Sequence, residues 1–136
     1  MIQRKSKREI EMMTEAGKLL AKLHKEIEKM MKPGITSMEV DRFVEKYLAE
    51  RGATAEQKGY QGYEYATCAS INDEICHGFP REDVLTQGDI VTIDMVVKYK
   101  GGLADSAWTY VIGEADEKTQ KLLDVTKKSL YLGIEQ

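Results

Sequence analysis

Two apolar runs, Asp89-Ile-Val-Thr-Ile-Asp-Met-Val-Val-Lys98 and Leu103-Ala-Asp-Ser-Ala-Trp-Thr-Tyr-Val-Ile112, flank a Tyr-Lys-Gly-Gly link, and this pattern constrains the chain more than any other. Both runs are rich in β-branched and aromatic residues, and the glycines between them supply a tight turn, so they read as an antiparallel hairpin with its tip near Tyr99–Gly101. In the first strand Val91, Ile93, Met95, Val97 and Tyr99 share one face, which is apolar enough to be core. Thr92, Asp94, Val96 and Lys98 share the other. In the second strand Asp105 shares its face with Leu103, Ala107 and Thr109. The hairpin therefore sets Asp94 and Asp105 across from one another, or nearly so, on a mixed face with no lysine or arginine placed locally to neutralise them. Like charges facing each other across strands are destabilising. A hard divalent cation between them reverses the sign, because such ions favour carboxylate oxygens. Either acid alone reads as solvated, as a loop cap or as the partner of a distant base; the pair reads as a metal site.

The remaining elements follow from periodicity. Ile10, Met13, Gly17, Leu20, His24, Ile27 and Met31 recur at three- and four-residue steps, one stripe of a helix from about Lys7 to Met31. Pro33-Gly34 stops it. Thr36-Ser-Met-Glu39 is a capping box that opens a second helix, with Val40, Phe43, Val44, Tyr47 and Leu48 on its buried face and Gly52 at its end. Residues 53–65, rich in Gly and Tyr, read as a loop. Ala66–Ile71 reads as a short strand, Asn72-Asp73 as a turn and Glu74–His77 as another short strand. Glu114–Leu132 reads as a third helix closed by Gly133, with Leu122, Leu123, Val125 and Leu130 free for burial. The order α-α-β-β-β-β-α is an α+β pattern in a single domain spanning residues 1–136.

Charge narrows the function classes. A net charge of −3 gives no electrostatic reason to bind nucleic acid or an anionic membrane. No apolar run reaches transmembrane length, and the basic start, Met1 to Arg8, lacks the apolar stretch of a signal peptide. The two cysteines, Cys68 and Cys76, do not have the spacing of a metal knuckle and read as free thiols of a reducing cytoplasm.

Three segments together carry a family likeness: Cys68-Ala-Ser-Ile-Asn-Asp-Glu-Ile-Cys-His-Gly-Phe-Pro80, Leu85-Thr-Gln-Gly-Asp-Ile-Val-Thr-Ile-Asp94, and Gly102-Leu-Ala-Asp-Ser-Ala-Trp-Thr109. With Lys32-Pro-Gly-Ile-Thr-Ser37 and Gly59-Tyr-Gln-Gly-Tyr63, they closely resemble type I methionine aminopeptidases over essentially the whole chain. Gly-Asp-Ile-Val-x-Ile-Asp alone would also suit the wider aminopeptidase-P and prolidase relatives.

The resemblance implies the pita-bread fold, two related α+β halves around a two-metal site, of which this chain resembles the N-terminal half with the C-terminal half absent. It implies that Asp94 and Asp105 are metal ligands, Asp105 bridging the two ions. It implies that His77 stands near the substrate amide and positions the scissile bond, and that Tyr60, Tyr63 and Cys68 line the pocket for the N-terminal methionine. The cofactors implied are two divalent ions per complete site, with Co, Mn, Fe, Zn and Ni not distinguished. The family's other ligands, one histidine and two glutamates, have no counterpart here. His24, the only other histidine, lies on the helix stripe and reads as a core-edge residue. Glu114, Glu117 and Glu135 lie on or near a solvated helix. The reading is thus a cytoplasmic metal-dependent enzyme that removes the initiating methionine from nascent peptides, inactive as this chain alone. Two rivals stay open: a non-catalytic peptide-binding module, and an assembly module that pairs with itself or with a C-terminal half.

Overall fold

The computed structural model describes residues 2–136. Helix α1 spans Lys7–Met30 and α2 Ser37–Ala49. Strands β1 (Thr54–Ala55), β2 (Cys68–Ile71), β3 (Ile90–Tyr99) and β4 (Gly102–Val111) follow, with a short 3-10 turn at Tyr60–Gly62 before β2. Helix α3, Glu117–Ile134, comes last.

Each helix starts where a side chain captures orphan N–H groups. In α1 the Glu9 N–H donates to Ser6 Oγ at 3.3 Å, and the Glu9 carboxylate accepts from the Ser6 N–H at 2.7 Å. Thr36 and Glu39 form the same reciprocal box at α2, at 3.1 and 2.8 Å, as their spacing predicts. Asp116 caps α3 by accepting from Thr119 N–H at 2.7 Å. Gly52, at φ 66, lets the chain leave α2 in the left-handed conformation.

The hairpin forms as read. β3 and β4 pair without a bulge from Ile90↔Val111 to Tyr99↔Gly102. The two-residue tip, Lys100-Gly101, has φ of 50 and 83; two left-handed residues make a type I′ turn, whose twist matches that of the flanking strands. β3 is central. β4 runs along one of its edges, and β1 and β2 lie end to end along the other, paired at Ala55↔Val97 and Cys68↔Asp94.

The core lies between the inner face of β3 and the two N-terminal helices. Val91, Ile93, Met95 and Val97 are fully buried against Leu19, Leu20, Leu23 and Ile27 of α1 and Val40, Val44 and Leu48 of α2. Each such side chain stabilises the fold by about 1.5–3 kcal/mol relative to exposure. α1 reaches the hairpin tip: a Cβ at Gly102 would run into the Met12 carbonyl, so β4 starts flush against helix backbone.

Four expectations need correction. The buried stripe of α1 is Ala16, Leu19, Leu20, Leu23 and Ile27, while Ile10 and Met13 are exposed; the face is rotated because the helix lies against the start of β4 through the Met12 backbone. Residues 53–65 are not all loop, since Thr54 and Ala55 pair with Lys98 and Val97. Glu74–His77 is not a strand. Asn72 and His77 both have positive φ, at 54 and 56, and the Glu74 carboxylate caps the turn by accepting from Ile71 N–H at 2.8 Å. Finally, α3 runs through Gly133 and, among the described residues, buries no side chain completely; Leu122, Val125 and Leu130 are exposed. It lies beside β4, with Lys127 Nζ 5.2 Å from the Trp108 ring centroid. Among the described residues no helix is long and apolar enough to cross a membrane.

Candidate metal centre and adjoining pocket

The register of the hairpin places the two acids. Asp94 pairs with Ala107 and Asp105 with Val96, so the carboxylates stand on one face, offset diagonally by one step of that face. Diagonal neighbours remain within reach of each other's side chains. Asp94 is half-buried and Asp105 exposed. Burial pushes the Asp94 carboxyl above the ordinary aspartate range; the Asp105 charge pushes the same way, and His77 opposes them. An anion under that pressure gains from a cation. Among the described residues no three His, Cys, Asp or Glu side chains converge as a complete metal cage. What fits a divalent ion is the oxygen donor pair itself, a partial coordination shell for a hard ion.

On the other edge of β3, Cys68 pairs with Asp94, and cross-strand partners point to the same face. Burial raises the Cys68 thiol pKa and the Asp94 charge adds to this, against a hydrogen bond with Tyr63. The sulfur is therefore kept protonated, a wall group and a poor nucleophile.

Cys68 opens onto a pocket of ≈ 640 Å³ that Tyr60, Tyr63 and His77 also line. Local geometry explains how four sequence-distant residues meet. Tyr63 donates its hydroxyl to the Thr67 carbonyl at 2.8 Å, which folds the tyrosine loop back onto the start of β2. Thr67 is itself held by buried Asp41 of α2, whose Oδ1 accepts from both its N–H and its hydroxyl at 2.8 Å. Burial raises the Asp41 pKa, and the Thr67 bonds work against that. His77 arrives on the return loop. Gly78 donates to Ser70 Oγ at 3.2 Å and accepts from Ala69 N–H at 2.8 Å, an approach to β2 that any Cβ at 78 would block.

Sequence reading missed several residues here. Tyr65 and Phe79 join Tyr63 in an aromatic cluster, with ring centroids 5.6 to 6.0 Å apart, and both line the pocket. Phe79 lies in the Cys68–Pro80 segment that carries the family likeness and Tyr65 two residues beyond the Gly59–Tyr63 segment, so a signal was available. Asp41 precedes Val44 and Leu48 at helical spacing, a weaker signal for a buried acid. Gln57 also lines the pocket, and nothing in its neighbourhood of sequence marks it. His24 sits apart from the site: its ring bridges Tyr110 and Ser106 on the opposite face of β4.

Residues 11–136 match the model of metallopeptidase family M24. The chain is 43% identical to methionine aminopeptidase 1 of Bacillus subtilis over 97% of its own length and 53% of that protein's. It is 38% identical to the methionine aminopeptidase of Clostridium perfringens, covering all of this chain and 55% of the relative. Among solved structures, a streptococcal methionine aminopeptidase superposes with a TM-score of 0.95 at 38% identity, covering 100% of this chain and 58% of that one. A Pyrococcus furiosus prolidase, at 22% identity, shares the fold with a TM-score of 0.75, over 91% of this chain and 35% of its own. The chain spans about half the length of the curated relatives it matches.

Proposed function

Since the chain belongs to metallopeptidase family M24, we propose that it supplies the N-terminal part of a methionine aminopeptidase site, in the family's pita-bread α+β fold. The observation that carries this reading is the adjacency of an acid pair and an aromatic pocket, linked through the Cys68–Asp94 pair of β2 and β3. Asp94 and Asp105 would hold divalent ions, two per complete site, with Co, Mn, Fe, Zn and Ni all compatible with carboxylate donors. When bound, the ions supply Lewis acidity at the scissile carbonyl. The chain's own residues do the rest of the work assigned to this half. Tyr60, Tyr63 and Cys68 receive the methionine side chain in a pocket whose walls are largely aromatic. His77 stands at the pocket's rim with a ring nitrogen available to the scissile amide. The substrates are peptides that begin with methionine, and a cytoplasmic site of action belongs to the same proposal.

Two of the five ligands that the resemblance implies are present, and the glutamate that would serve as base is not among them. The 136-residue chain alone should therefore not turn over substrate. Incubation with a Met-Ala-Ser tripeptide and added Mn²⁺ or Co²⁺ tests this; robust methionine release by the isolated chain overturns the half-site reading. A second reading, an assembly module that pairs with itself or with a complementary half, draws on α3. Leu122, Val125, Leu130 and Leu132 are each more than half exposed on that helix, and contiguous exposed apolar side chains mark interaction surfaces. Sedimentation velocity decides it: a clean monomer removes self-association and leaves the metal reading intact.

A further inference from the structure

Gln57 occupies a gap in the sheet. β1 ends as Glu56 N–H donates to the Val96 carbonyl at 2.9 Å, and the chain then turns away into the tyrosine loop. In an uninterrupted antiparallel ladder the reciprocal bond would run from Val96 N–H to the carbonyl of residue 56. Here it goes to a side chain: Val96 N–H donates to Gln57 Oε1 at 2.8 Å. The same carboxamide then reaches along β3. Its Nε2 donates to the Asp94 carbonyl at 3.3 Å and to Cys68 Sγ at 3.6 Å. Both amide hydrogens and the oxygen are thereby used. β1 and β2 lie in line along one edge of β3, and the carboxamide bridges the point where one stops and the other starts, beside Asp94.

We infer that Gln57 is a positioning residue for the metal-ligating face: its carboxamide takes the place of a peptide group in the ladder, fixing the β3 backbone on both sides of Met95 and turning the Cys68 thiol toward the pocket. The inference rests on the proposed metal role of Asp94. Its logic is that a ligand carried on a strand is held only as well as that strand. Without the bridge, the residues on either side of Met95 would lose the side-chain bonds that reach them from the β1 end, and the Asp94 backbone would gain freedom that the ligand must surrender on binding an ion.

The test uses the full 136-residue chain, with Mn²⁺ as probe and amide hydrogen exchange at Val96 as a metal-independent readout. Gln57→Met keeps the side chain's length and removes its hydrogen bonding. It should speed exchange at Val96, leave Ser70 and Thr92, paired farther along the ladder, protected, and weaken Mn²⁺ binding by about tenfold, the lower end of losses from disturbed outer-shell partners. Gln57→Glu keeps the acceptor for Val96 and loses both donors. Its added charge by itself would tighten cation binding, so weaker Mn²⁺ binding with Val96 still protected supports positioning. Unchanged or tighter binding in Gln57→Glu overturns the inference, as does loss of protection along the whole ladder in Gln57→Met, which would make the residue merely structural. Asp94→Asn separates the two layers: if it binds Mn²⁺ as the wild type does, the metal reading fails. If it weakens binding while both Gln57 variants do not, only the present inference fails.

Discussion

Asp94 and Asp105 are carried on neighbouring strands of one bulge-free hairpin, diagonally placed on the same face, with Ala107 and Val96 as their direct partners. Because no bulge or loop intervenes between them, their relative position is set by the sheet ladder itself. Both should be needed for the chain to bind Mn²⁺ or Co²⁺. Calorimetric titration of wild type against Asp94→Asn and Asp105→Asn should show weak binding that falls by more than about tenfold in each variant, a loss that even outer-shell changes can reach. Equal affinities would remove the metal role.

Asp41 stabilises the pocket from below. Asp41→Ala leaves the buried Thr67 N–H and hydroxyl without their acceptor, and an orphaned buried donor costs about 1–3 kcal/mol. Asp41→Asn keeps an oxygen in place and should cost less. Urea denaturation ranks the three proteins; an alanine variant as stable as wild type would mean that water substitutes for the carboxylate.

The capping box at α2 gives a cleaner measure of local helix stability. Thr36→Ala should cost about 1 kcal/mol, whereas Thr36→Ser, which keeps the hydroxyl, should be close to neutral. Denaturation midpoints at constant slope are the measurement, and an inverted order of the two variants would contradict the cap assignment.

His24 sets a pH dependence. Tyr110 donates to the His24 carbonyl at 3.0 Å and so accepts from Nδ1–H at 2.7 Å, leaving Nε2 to accept from Ser106 at 2.9 Å. The ring is held neutral, and burial lowers its pKa from the ordinary 6.5, against the Ser106 bond. Lys25, Glu28, Asp105 and Tyr131 border the same cleft. Below 6.5 the unfolded chain binds a proton that the folded chain resists, so this contribution is present above that value and is lost as pH falls through the depressed folded pKa. Thermal unfolding from about pH 7.5 down to about pH 5, the range in which imidazole titrates, should show a loss of stability that His24→Gln lacks. Parallel curves for the two proteins would dismiss the effect.

The legibility of the sequence differed by the kind of interaction involved. The β3–β4 hairpin was readable because a period of two and a Lys-Gly turn are both local, and they alone fix the face shared by Asp94 and Asp105. The Thr36–Glu39 box was readable for the same reason. The α1 stripe was misread because Met12 and Met13 are equally apolar, and only the approach of β4 selects between them. Glu74–His77 was misread because a short segment between the Asn72-Asp73 turn and the Gly78-Phe79-Pro80 break says nothing about Glu74 capping its own turn. Gln57 and Asp41 escaped notice because a polar side chain bonded to backbone far along the chain leaves no periodic trace. The coming together of Tyr60, Tyr63, Cys68 and His77 was foreseen only through the family likeness, since a pocket assembled from a loop, a strand and a return loop has no spacing of its own.

Gly102 bears on how a mutational scan of this protein would read. The first residue of β4 has room for a hydrogen and nothing larger, because the Met12 carbonyl of α1 occupies the space a methyl would need. Any substitution there must separate helix from strand, and the same strand carries Asp105 three positions on. Position 102 would then score as intolerant as Asp105 in a survey that counts only metal binding, although it has no side chain to contribute. A survey that also records abundance would part the two: substitutions at 102 lower the amount of folded protein, whereas Asp105→Asn leaves it folded with weakened metal binding.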